Sequence, residues 1–107
     1  MSLVLVFTSV ARKDQAQDLV DILIKERWAA CAQFHPIQSC YVWDGKVVNE
    51  EEFKILFKTN SEKQDALIKR LRELHPYELP AIYAQESSVC DPAFVSWISE
   101  QTNSAPL

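Results

Sequence analysis

The chain alternates short apolar runs with amphipathic stretches, and the period changes several times. Leu3 to Thr8 is an unbroken apolar, β-branched run of the kind that forms a buried strand. Ser9 to Asp14 is polar and turn-like. From about Lys13, apolar residues recur at Ala16, Leu19, Val20 and Leu23, one face of a helix that fades near Arg27 and Trp28. Ala29 to Phe34 is small and apolar and predicts a strand, which His35-Pro36 should interrupt because proline cannot donate to a ladder. A second extended segment, Gln38 to Trp43, places Tyr41 and Trp43 on one side. Asp44-Gly45 then gives a hairpin turn with positive φ at both central residues, followed by Lys46-Val47-Val48.

Asn49 to Glu52 reads as an acidic, irregular stretch. Phe53 to Thr59 alternates again and predicts a strand. Ser61-x-x-Gln64 has capping-box spacing before a helix that carries Leu67, Leu71 and Leu74. His75-Pro76 should end that helix. Ala81 to Gln85 predicts the last strand. Asp91-Pro92 supplies an N-cap and a proline at the first helical position, and Phe94, Trp97 and Ile98 are the expected buried face of the final helix. The order is βαββαβ, with an extended hairpin in the middle and a C-terminal helix. That is an α+β, ferredoxin-like arrangement: an antiparallel sheet with its helices on one face. Residues 1–107 form one domain, with about 102–107 as a loose tail.

Composition narrows the function classes. With 107 residues, 48% hydrophobic and 24% charged, the chain has ordinary globular values. No run approaches the length of a membrane span, and no basic region precedes the first apolar run, so a cytoplasmic protein with no membrane partner is expected. The net charge of −4 argues against nucleic acid. A single glycine, Gly45, excludes glycine-rich phosphate loops. Cys31, Cys40 and Cys90 are odd in number and widely spaced, which fits free thiols better than disulfides or a zinc site.

The densest chemistry lies in His75-Pro76-Tyr77-Glu78-Leu79-Pro80, where two prolines bracket an imidazole, a phenol and a carboxylate. It is either a rigid site or a helix-to-strand connector. His35 and His75 have no partner at metal-motif spacing, so each is a local hydrogen-bonding group or a lone ligand. Glu50-Glu51-Glu52 is a solvated turn or a weak attractor of divalent cations. Tyr41 and Trp43 are a stacking platform or interface residues. No nucleophile–base pair or oxyanion motif accompanies them, and no enzymatic activity is expected.

Together, Ala29-Ala30-Cys31, Pro36, Ser39, Tyr41, Trp43, Asp44-Gly45-Lys46, Glu52, Lys58-Thr59, His75 to Pro80, and Asp91-Pro92 with Trp97 resemble the CutA family of divalent-cation tolerance proteins. The likeness spans Leu3 to about Trp97. It implies a ferredoxin-like fold, a homotrimer, and a non-enzymatic link to copper and other divalent metal ions, with no obligatory cofactor. Of the copper ligands proposed in some members, only His75 has a match, and the resemblance makes it the candidate metal residue. It also implies a shape akin to the PII signalling proteins. The alternative reading is therefore a PII-like trimeric small-molecule sensor. Trp43, Glu52, Lys58, Tyr77 and Glu78 are the candidates for its ligand cleft or for a subunit interface.

Overall fold

The computed structural model describes residues 2–107. Its elements run β1 (Leu3–Val10), α1 (Lys13–Lys25), β2 (Cys31–Trp43), β3 (Lys46–Asn60), α2 (Gln64–Leu74), β4 (Tyr83–Glu86) and α3 (Pro92–Thr102). The sheet order is β2-β3-β1-β4, antiparallel throughout. This is the expected ferredoxin-like topology.

Alternation fixes which face is buried. Val4, Val6, Thr8 and Val10 of β1 lie opposite Thr59, Phe57, Ile55 and Phe53 of β3. That face packs under α1 and α2, whose Leu19, Leu23, Leu67 and Leu71 are buried with Val4, Val6, Ile55 and Phe57 in one core. Full burial of side chains of this size stabilises by about 1.5–3 kcal/mol each. Arg70 of α2 clasps Glu26 at the end of α1 with two hydrogen bonds, Nε–Oε1 2.8 Å and Nη2–Oε2 2.9 Å, and Trp28 Nε1 donates to the same carboxylate at 2.9 Å.

β2 and β3 are 13 and 15 residues long, far beyond the usual five or six, and the molecule reaches 45 Å along its longest axis. Their distal halves form an arm closed by Asp44 (φ 52°) and Gly45 (φ 71°). Positive φ at both central residues gives a type I′ turn, whose twist matches the strands it joins.

Several expectations need correction. His35-Pro36 does not break β2, which runs unbroken from Cys31 to Trp43. β2 is an edge strand, and an imino nitrogen is tolerated on the side that has no neighbour. Residues 49–52 are not irregular: they pair in register with residues 37–40. Ser61 does not cap α2; the fully buried Asn60 accepts from the Glu62 and Lys63 amides (2.9 and 3.1 Å), and its Nδ2 donates to Thr102 Oγ1 at 2.9 Å. Asn60 thus ties the end of β3 to both α2 and α3.

Another concerns α3. Asp91 caps it as expected, accepting from the Ala93 amide at 2.9 Å. Its buried face is Ile98, Ser99 and Thr102, while Phe94 is half-buried and Trp97 exposed. The two rings stack on each other at 5.9 Å instead. The segment after α3, expected as a loose tail, is hydrogen-bonded: the Leu107 amide donates to Lys25 O at 2.8 Å and Arg27 Nε to Ala105 O at 3.2 Å. The last strand starts at Tyr83, two residues later than its apolar run suggests.

Candidate functional site

The loop after α2 is held by its histidine. Pro76 forces the residue before it out of the helical region, and His75 is extended at φ −67°, ψ 135°. The ring is buried. Its Nε2 lies 2.9 Å from Thr8 Oγ1 and 3.1 Å from Ser9 O, and its Nδ1 accepts from the Tyr77 amide at 3.0 Å. A nitrogen that accepts an amide proton carries none itself, so the neutral ring bears its proton on Nε2 and donates it toward β1. Burial pushes the His75 pKa down, against the opposing pull of the Ser9 carbonyl and the charge of Glu52. The ring therefore stays neutral at pH 7.

This arrangement decides the fit of a copper ion. Both His75 nitrogens are engaged, so neither presents a free lone pair. Among the described residues, no three His, Cys, Asp or Glu side chains stand close enough to hold a metal ion together. A selective transition-metal site needs several such donors. One chain's residues do not fit copper held through His75.

Beyond His75 the loop meets the arm, and the two enclose a cleft of about 490 Å³. Glu52 stands in it at 6% exposure, and the Tyr77 hydroxyl donates to its Oε2 at 2.7 Å. The Tyr41 hydroxyl donates to the Glu50 carboxylate. Trp43 and Leu79 line the cleft and are 56% and 72% exposed. Glu78 is its third carboxylate, and among the described residues no cationic side chain lines it. The Tyr41 pKa is pushed up to about 12, first by the hydrogen bond to Glu50. That of Tyr77 is pushed well above the phenol range, first by burial and then by Glu52. Both phenols remain donors at any physiological pH.

Of the residues singled out from the sequence, the structure brings Trp43, Glu52, Tyr77 and Glu78 to one cleft. Lys58 is not among them. It lies at the opposite end of the β2–β3 ladder, opposite Cys31, with its Nζ 5.8 Å from the centre of the Phe94 ring. Two further cleft residues, Tyr41 and Glu50, stood out in the sequence as an interface aromatic and part of an acidic run but not as members of this cleft. Their signal was the strand period: Tyr41 and Trp43 share a face, as do Glu50 and Glu52, and the register lays Tyr41 opposite Val48 and Ser39 opposite Glu50. An acidic stretch read as a turn hides that relation.

A four-stranded antiparallel sheet with two helices on one face, and a long arm over an acidic, aromatic cleft, define a ferredoxin-like domain with an arm-flanked pocket. Residues 4–101 match the family model of the CutA1 divalent ion tolerance protein. The chain belongs to this CutA family. It is 33% identical to the divalent-cation tolerance protein CutA of Thermotoga maritima over 98 residues, covering 92% of this chain and 97% of the relative. The solved structure of CutA from Xylella fastidiosa superposes with a TM-score of 0.92 at 35% identity, covering 96% of this chain and 100% of that one. The structure of the periplasmic divalent cation tolerance protein CutA from Archaeoglobus fulgidus gives 0.91 at 27% identity, covering 94% and 99%. Among the described residues, no helix is long and apolar enough to cross a membrane.

Proposed function

We propose that the protein serves divalent-cation tolerance as a non-enzymatic homotrimer, and that it takes its ligand in the cleft between the arm and the 75–81 loop, not as copper held by His75. The observation that carries this reading is Glu52. Its carboxylate is nearly buried, faces the cleft, and receives a hydroxyl from Tyr77 but no cationic side chain. A buried carboxylate without a cation is costly unless something offsets it. A ligand in the cleft supplies that counterpart, and the PII-like sensor reading is then the manner in which the family role is carried out.

Assembly rests on two supports. The resemblance supplies the number three. The chain supplies apolar surface that a lone domain leaves in water: Val42 and Val47 on the arm are 72% and 69% exposed, and Tyr83, stacked on Phe7 at 5.1 Å, is 51% exposed. Exposed aromatics on an open strand edge are typical of subunit contacts. A cytoplasmic location is part of the same proposal, in keeping with three free cysteines.

The test is a thermal-shift screen of the purified protein against divalent cations and small polar molecules, run on wild type and Glu52→Gln. A ligand that favours the native state raises apparent stability by mass action. The reading requires a stabilising ligand whose effect Glu52→Gln removes. A divalent cation that stabilises both proteins equally, and loses its effect in His75→Ala, would overturn it.

A further inference from the structure

We infer that the cleft is built for an aliphatic ammonium ion, and best for one carrying two such charges, as in a short diamine. This rests on the proposal that the cleft is the ligand site and names the chemistry of its occupant.

The walls carry the argument. Among the described residues the lining holds three carboxylates, Glu50, Glu52 and Glu78, and neither lysine, arginine nor histidine. The occupant is therefore cationic. The sign alone admits a bare metal ion, but the donor geometry does not. Divalent cations such as Ca²⁺ or Mg²⁺ want six or more oxygens arranged around them. Here Glu50 and Glu52 each already accept a phenol hydroxyl, and no three acidic side chains converge. The rest of the lining is apolar or aromatic, with Ala11, Tyr41, Trp43 and Leu79. Such surface is wasted on a hydrated metal ion but suits methylene groups.

An alkylammonium matches each part. Its charge pairs with a carboxylate oxygen, and the low dielectric around a nearly buried acid strengthens the contact. Glu52 has that oxygen to give: Oε2 is taken by Tyr77, while Oε1 has no hydrogen-bond partner among the described residues and is not sealed from the cleft. The exposed rings of Trp43 and Tyr41 offer π faces, to which an ammonium or its polarised neighbouring methylenes are attracted. Glu78, at the exposed lip, is placed for a second charge at the other end of the molecule. The Tyr77 and Tyr41 hydroxyls keep the carboxylates oriented whether or not a ligand is present, which reduces the ordering that binding requires.

The experiment is isothermal titration of the assembled protein with 1,4-diaminobutane at matched ionic strength, with 1,4-butanediol as the uncharged analogue and magnesium chloride as the simple dication. The expected result is saturable diamine binding that weakens as sodium chloride rises, little heat from the diol, and no competition from equimolar magnesium. Glu52→Gln should weaken the diamine about tenfold or more, as loss of a charge-assisted contact does. Glu50→Gln, on the more open arm, is the second variant should Glu52→Gln fail to fold as judged by circular dichroism. Equal binding of diol and diamine, displacement by equimolar magnesium, or an isotherm that neither variant alters would overturn the ammonium assignment. If the diamine does not bind but zinc or copper gives a saturable isotherm that Glu52→Gln or Glu50→Gln abolishes, the ligand class is wrong while the cleft stands. If no probe responds to either variant, both are wrong.

Discussion

Replacing His75 with alanine separates a structural pin from a metal ligand. The ring makes three polar contacts, to Thr8 Oγ1 at 2.9 Å, Ser9 O at 3.1 Å and the Tyr77 amide at 3.0 Å. Thr8 is 2% exposed, so its hydroxyl loses a partner where water does not readily replace it. Each net hydrogen bond is worth about 0.5–1.5 kcal/mol, and an unsatisfied buried group costs about 1–3 kcal/mol. The cavity left by the ring adds to that, while the half-buried Tyr77 amide can recover part of its loss through water. The expected loss is about 2–4 kcal/mol. At about 4 °C per kcal/mol for a domain of this size, the midpoint should fall by about 8–16 °C. Urea unfolding at pH 7.5 and one fixed protein concentration, followed by circular dichroism, measures it, because assembly makes stability concentration-dependent. A variant within about 0.5 kcal/mol of wild type would refute the pinning role. A copper isotherm that His75→Ala abolishes without loss of stability would restore the ligand role.

The remaining predictions follow from the same contacts. The folded pKa of His75 is depressed, first by burial, so below the unfolded value of about 6.5 the unfolded chain binds a proton that the native state resists. Stability should fall as pH drops from about 6.5 toward 5, and His75→Ala should flatten that slope in denaturation series at stepped pH; an unchanged slope would contradict the assignment. Arg27 sits at φ 68°, and its guanidinium reaches Ala105 O, Gln101 O and Gln101 Oε1. Arg27→Ala loses the contacts and keeps the left-handed strain, whereas Arg27→Gly loses the contacts alone, so the glycine variant should be about 1 kcal/mol the more stable in urea. Light scattering coupled to size exclusion should give about 37 kDa, three times the 12.3 kDa chain, and a stable monomer at micromolar concentration would contradict the trimer.

What could be read in advance divides along physical lines. Strand alternation and the helical stripe of Ala16, Leu19, Val20 and Leu23 are local signals set by burial, and these elements formed as the pattern requires. Asp44-Gly45 was legible because few residue pairs accept two positive φ angles. Pro36 misled because its penalty depends on whether a strand lies at the edge, and sheet order is not a local property. Glu50 to Glu52 misled because a run of acids looks solvated until a loop 25 residues away covers one of them with Tyr77. The 75–80 segment stood out by its titratable groups between two prolines, but the role of His75 depends on the position of Thr8 and Ser9, 67 and 66 residues earlier. Lys58 shares a strand with Glu52, and only the register shows that the cleft lies toward the other end. Helix α3 buries Ile98 as its period requires, but with Ser99 and Thr102 in place of Phe94 and Trp97; Asn60 bonds Thr102, a contact without any periodic signature.

The most direct test of the cleft as the ligand site is amide chemical-shift mapping on the assembled, isotopically labelled protein during titration with 1,4-diaminobutane. Binding in the cleft should give saturable shifts at Tyr41, Glu50, Glu52 and Tyr77, from both sides of the cleft, with Lys58 and Phe94 unmoved. Shifts centred on Lys58 and Phe94, or on the sheet face around Phe7 and Lys54, with the cleft silent, would contradict it.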